Sequence, residues 1–260
     1  MNKIFLTACV LVILTIDLAC DKDEIKEDPL ITTGRELFND TKFSTANDRS
    51  CGYCHPGGDM DNEQWHLPPI HDTTNGIPNK YSTPTLFGVS ETGPYLWKGQ
   101  GGNDLRSLTQ TIVQSVQGGT VTSDELDAIV AYMLSLKVPA NPWKNTDGSL
   151  SEVQARGKKV FENQGHCITC HSGVVLTGRF KIEIFKAQAQ FDVPSLRWVF
   201  STAPYFHDGS AANLKDVINH YADSITTVQM TTWGWNARGI FDISLTQQEK
   251  NDLFEYLRTL

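Results

Sequence analysis

Positive charge is in deficit: 22 Lys and Arg stand against 30 Asp and Glu, a formal net charge of −8. A surface of that sign repels a phosphate backbone, so nucleic acid is excluded as a partner, whereas a basic protein is compatible. Long apolar runs are missing too. The apolar stretch from Ile4 to Ile16, with Lys3 ahead of it, falls short of the ~20 residues a spanning helix needs. It reads as an export signal over residues 1–19. Ala19 before Cys20 resembles a bacterial lipoprotein cleavage site, with Cys20 as a lipid-bearing N-terminus anchored to the membrane. Asp17 departs from that pattern, and plain signal cleavage is the alternative. Either route places the mature chain in the periplasm or on the outer face of the cell envelope. Residues 20–31 then form an acidic, solvated tether.

Cysteine is scarce, and its placement is informative. Of six, Cys9 and Cys20 belong to the N-terminal segment. The others, Cys51, Cys54, Cys167 and Cys170, leave none for a separate structural disulfide. Strand signals are weak throughout. Helix signals are clear: Thr122 with Glu125, Ser151 with Gln154 and Thr246 with Glu249 are capping boxes ahead of apolar-periodic runs. Leu253, Leu257 and Leu260 fall on one face of the last of these.

The chain is written twice. Gly34–Phe38 (GRELF) matches Gly157–Phe161 (GKKVF), and CGYCH at 51–55 matches CITCH at 167–171. Thr83–Leu86 (TPTL) matches Val193–Leu196 (VPSL). Pro94–Gly99 (PYLWKG) matches Pro204–Gly209 (PYFHDG). Leu126–Leu136 matches Asn251–Leu260. Five matches in one order are not chance. The expected architecture is mainly α: two tandem cytochrome c-like helical domains, 32–140 and 151–260, joined by a linker at 141–150 that is rich in turn formers.

CxxCH explains the repeat. Two cysteines at this spacing reach the two vinyl groups of one haem and bond to it by thioethers, and the next histidine turns onto the iron. Cys51, Cys54 and His55, and Cys167, Cys170 and His171, are therefore the expected binding residues of two haem c groups. The competing readings are a zinc site built from both cysteine pairs and a redox dithiol, which would not need the histidine.

PTL followed by PYLWKG in the first half, and PSLRWVFSTAPYFHDG in the second, resemble the bacterial dihaem cytochrome c peroxidase family, which includes the methylamine dehydrogenase maturation branch. The resemblance runs over about residues 32–260. It implies that hydrogen peroxide reacts at the N-terminal haem. It also implies that a small redox protein delivers electrons to the C-terminal haem and that a tryptophan between them, here Trp97, relays electrons. It places Tyr221 as second axial ligand of the C-terminal haem, with Met230 as competitor and His220 exposed beside it. His71 is the candidate distal ligand of the N-terminal haem, ahead of His66 and Met60. A calcium ion between the domains would draw on Thr202 and Pro204, with Ser82 where the family has Asn. A homodimer is among the family's arrangements.

The pattern breaks in the first half. The family places a Glu about twenty residues after the relay tryptophan, to move the peroxide proton. Here that position is Gln117, and an amide cannot accept and return a proton at neutral pH. Asp124 and Glu125 are the alternatives if the register slips. The WDGR motif becomes Trp97–Gln100 (WKGQ), losing an acid and an arginine. Three functions stay open: a peroxidase, a dihaem electron-transfer protein without peroxide chemistry, and an oxidase of a specific protein or organic substrate.

Overall fold

The computed structural model describes residues 27–74, 76–184, 190–222, 225–232 and 235–260, with only the backbone described at 183–184, 225–232 and 235–242. The export signal expected over 1–19, and Cys20, lie outside the described residues. Among the described residues no helix is long and apolar enough to cross a membrane.

Helix α1 (Pro29–Phe38) starts where Asp28 caps the backbone N–H of Leu30 and Pro29 presets the first turn, so the helix begins inside the segment expected to be tether. A short α2 (Cys51–Cys54) carries the first haem motif. Helix α3 (Leu105–Thr111) is capped by Asp104 and runs into a π-helical turn, Ile112–Val116. Helix α4 (Ser123–Ser135) closes the first half. The second half has α5 (Glu152–Glu162), α6 (Leu214–Ala222) and α7 (Gln247–Leu257). All three expected capping boxes are formed.

Each half packs its first helix across its last. Phe38 meets Tyr132 edge-on at 5.2 Å, and Phe161 meets Tyr256 at 5.5 Å. Two separate apolar cores result, one around Phe38, Val113 and Ile129, the other around Phe161, Leu253 and Leu257. The repeat reaches the backbone. Leu96 and Phe206, in the two PY turns, have φ of 68° and 69°, and Gly88 and Trp198 have 72° and 68°. Left-handed non-glycine residues are uncommon, so matched ones mark a shared local fold.

Strands are more extensive than the sequence suggested. In the first half β1 (Gln64–Trp65) pairs with β4 (Tyr81–Ser82), and β2 (Thr73–Thr74) with β3 (Ile77–Pro78). In the second, β5 (Lys181–Ile184), β6 (Phe191–Asp192), β7 (Ile225–Thr232) and β8 (Trp235–Asp242) form an antiparallel sheet in the order β6-β5-β7-β8. The ladder Gln64↔Ser82 recurs as Lys181↔Asp192. Two-residue strands are too short to show a period. Ile225–Thr232 is rich in β-branched residues, but its alternation is incomplete.

The halves are joined by a reciprocal exchange. The Ser82 N–H donates to the His207 carbonyl at 2.8 Å, and the Asp192 N–H donates to the Trp97 carbonyl at 2.9 Å. Ser82 and Asp192 are repeat equivalents, as are Trp97 and His207. The interface therefore has an approximate two-fold axis. Arg197 pairs with Glu91 across it at 2.7 Å, and Arg179 donates to the Glu91 carbonyl at 2.6 Å. The linker folds onto α7: Asn141 donates to the Arg258 carbonyl, and the Arg258 guanidinium lies 3.3 Å above the Trp143 ring.

Candidate haem centres and the wall between them

Both CxxCH motifs open into one continuous cavity of about 900 Å³ between the domains. Cys51 packs on the first core and Cys167 on the second, so the pairs face different halves. Among the described residues no group of three or more His, Cys, Asp or Glu side chains could hold a metal ion, which removes a shared zinc site. Burial pushes the thiols up, Cys51 and Cys167 to about 12 and Cys54 and Cys170 to about 11. An activated redox dithiol shows the opposite shift. These are unreactive thiols held beside a large apolar space.

Burial lowers His55 and His171 to about 4, so both imidazoles are neutral at pH 7, the form that ligates iron. The His171 Nδ1 lies 3.2 Å from the Leu176 carbonyl. A carbonyl only accepts, so Nδ1 carries the proton and Nε2 keeps its lone pair, an orientation typical of a metal-binding histidine.

The cavity wall fits a cofactor with a polar periphery. The Arg197 Nε, the Gln117 Oε1 and an Asp192 carboxylate oxygen are buried without a protein partner, and all three residues line the cavity. Arg197 offers the donor that an anionic arm of a haem needs.

The expected site residues are placed as follows. Trp97 stands where the halves meet, its Nε1–H donating to the Ser82 carbonyl at 2.7 Å. Gln117 ends the π-helical turn; its N–H donates to the Ile112 carbonyl, and its own carbonyl accepts from the Thr45 backbone. Glu125 caps α4 and pairs with Lys42 at 2.8 Å, a pairing that lowers it to about 2. Neither it nor Asp124 lines the cavity. Tyr221 lines the cavity on α6; burial raises its phenol, and Cys167 and Cys170 are near enough to add to the rise. His220 is exposed at its neighbouring position. Met230 falls on β7, and its side chain lies outside the described residues. His71 also lines the cavity, with its Nδ1 3.0 Å from the Trp65 carbonyl and its ring edge-on to Tyr81. His66 is turned to the Asn79 carbonyl. Met60 is buried and lines the cavity wall.

Sequence reasoning missed two groups. One is the tie between Lys98, Asp72 and Tyr81. The other is Asp192, which the repeat could have found as the equivalent of Ser82. Burial raises the Asp192 carboxyl to about 7. A raised acid holds its proton in the folded chain but not in the unfolded one, so its contribution is present at low pH and lost as pH rises toward 7. At 1.36 kcal/mol per unit, the chain loses on the order of 2 kcal/mol between pH 5 and 7 from this group. Asp192→Asn removes that slope, which denaturant unfolding at the two pH values measures. An unchanged slope in the variant refutes the assignment.

Residues 28–137 match the family model described as di-haem cytochrome c peroxidase, and residues 154–260 match that of cytochrome c. Hydrazine synthase subunit gamma of Kuenenia stuttgartiensis is 25% identical, with 89% of this chain and 77% of that one aligned. The methylamine utilization protein MauG of Methylophilus methylotrophus is 22% identical over 88% of this chain and 81% of its own. Cytochrome c551 peroxidase of Pseudomonas aeruginosa is 26% identical over 71% and 69%. Among solved structures, hydrazine synthase of Kuenenia stuttgartiensis superposes with a TM-score of 0.69 at 22% identity, covering 100% of both chains. The diheme peroxidase BthA of Burkholderia thailandensis superposes at 0.58 and 18% identity, covering 90% of this chain and 86% of that one. The fold is theirs, and its cytochrome c domains imply haem c. The first half of the chain thus matches the di-haem cytochrome c peroxidase model and the second half that of cytochrome c, one haem c domain in each copy of the repeat.

Proposed function

We propose that the protein is an exported dihaem c-type cytochrome that reduces hydrogen peroxide with electrons from a small redox protein. Haem c, when bound, supplies iron that takes up single electrons and passes them to peroxide. The observation that carries the reading is the shared cavity, with one CxxCH motif in each half and Trp97 at the seam. Cys51 and Cys54, and Cys167 and Cys170, would hold the two groups by thioethers, and His55 and His171 would supply the imidazoles that ligate the iron. Tyr221 completes the C-terminal site, and His71 faces the N-terminal one. Trp97, fixed through both its indole N–H and its carbonyl, keeps an aromatic ring between the halves. Gln117 orients peroxide by hydrogen bonding. Calcium would draw on Ser82, whose buried Oγ has no protein partner. Export through residues 1–19, with or without lipid on Cys20, supplies the compartment in which haem c is attached.

One observation favours a second reading, electron transfer without peroxide chemistry: the amide at Gln117 cannot shuttle a proton. Peroxide-dependent oxidation of a reduced small cytochrome by the fully haem-loaded protein decides between them. Turnover above the uncatalysed background is the expected result. None at any peroxide concentration, with both haems in place, overturns the peroxidase reading.

A further inference from the structure

The two departures in WKGQ are structurally compensated, and the compensation points to a route. The Lys98 Nζ lies 2.6 Å from one Asp72 carboxylate oxygen, and the Tyr81 hydroxyl donates to the other at 2.7 Å. The Gln100 Nε2 donates to the Ile70 carbonyl at 3.1 Å, while its Oε1 accepts from the Lys98 N–H at 2.9 Å. Two side chains of one turn thus hold the segment 70–72, which sits between β1 and β2 without a helix or strand of its own.

That segment is a wall. A second pocket, of about 340 Å³, lies outside it. Ile70, Leu96 and Leu108 line both this pocket and the inter-domain cavity. Leu108 is fixed on α3 and Leu96 in the PY turn, so Ile70 stands on the segment with the least support. The rest of the outer pocket is lined by Pro69, Gln100, Gly101, Ser107 and Thr111, with no charged side chain among its lining residues. Such a mouth admits a small neutral molecule of a few heavy atoms and disfavours an ion.

We propose that this pocket is the entry by which small neutral ligands, hydrogen peroxide among them, reach the N-terminal haem site, and that Gln100 and Lys98 bolt its inner wall by holding Ile70 and Asp72. The inference rests on the reading of the N-terminal site as the one that meets peroxide. His71, next to Ile70, moves with the wall.

The test uses the fully haem-loaded protein and stopped-flow association of hydrogen cyanide, a neutral probe at pH 7, with the ferric N-terminal haem. Gln100→Leu removes the donor to Ile70 and should raise the association rate about fivefold, the effect of losing one neutral hydrogen bond. Lys98→Met should act in the same direction. Thr111→Trp fills the exposed mouth without touching the cavity. It should slow association and dissociation together, leaving the equilibrium constant unchanged. Hydrogen exchange of the amides of Leu67, Ile70, His71 and Asp72 should quicken in the first two variants and not in the third. Rates that ignore all three substitutions, or a cyanide that reaches the haem in none of the proteins, overturn the entry. Responsive cyanide rates in a protein that turns over no peroxide would leave the entry standing and remove the peroxidase reading. Normal turnover with unresponsive rates would do the reverse.

Discussion

Gln117→Glu should raise peroxide turnover by roughly 10²–10⁴-fold, the usual worth of positioned general acid–base catalysis. The backbone of Gln117 is fixed from both sides, by its N–H to Ile112 and by the Thr45 backbone on its carbonyl. The side chains are nearly isosteric, so a carboxyl would take the place of the amide. The amide oxygen is buried without a protein partner and faces the cavity that peroxide would enter. A carboxyl there loses hydration, which raises its pKa toward the operating pH and improves it as a shuttle. It takes a proton from one peroxide oxygen and returns it to the other, so that water can leave. The amide can only orient the molecule. Peroxide-dependent oxidation of a reduced small cytochrome measures the gain. Equal turnover in the two proteins, with equal haem content, would mean that Gln117 does not face the reacting molecule.

The same position bears on how much of the molecule is legible in its sequence. The haem motifs, the repeat and the three capping boxes can be read directly, because each depends on residues a few positions apart. Gln117 can be found by counting from Trp97, and its π-helical turn cannot. The partners of Lys98 and Gln100 lie 26 and 30 residues away, so in sequence these two appear only as losses. In the fold they are gains, because an acid and a carbonyl are waiting for them. The exchange of Ser82 and Asp192 between halves is invisible for a different reason. It requires two folded copies to meet, and no local pattern encodes that. The second-half sheet was missed because Ile225–Thr232 is neither a clean alternation nor a continuous apolar run.

The repeat also predicts where the chain is least tolerant. Gly157→Val should destabilise the C-terminal domain by about 3 kcal/mol, the upper end of the usual cost of overpacking, and Gly34→Val should do the same to the N-terminal one. In isolation, replacing a helix-interior glycine by alanine is favourable by roughly 0.5–1 kcal/mol, because the unfolded chain loses freedom, and the gain is smaller for β-branched valine. Here that gain is outweighed by sterics. A Cβ on Gly157 would sit 1.9 Å from the Asp252 carbonyl oxygen, and one on Gly34 would sit 1.9 Å from that of Ala128. Both obstacles are backbone, which cannot turn aside as a side chain can. Helices α5 and α7, or α1 and α4, must separate, which also breaks the Phe161–Tyr256 or Phe38–Tyr132 contact. In the second half, separation would strain the paired hydrogen bonds from Arg156 to Asp252, at 2.7 and 3.0 Å. The cores are distinct, so the losses should be too. Thermal unfolding of the loaded protein, followed through each haem's absorption, should show one domain melting early in each variant while the other is retained. A valine at either position that raises the unfolding midpoint would refute the close helix crossing, and with it the view that GRELF and GKKVF are one packing device used twice.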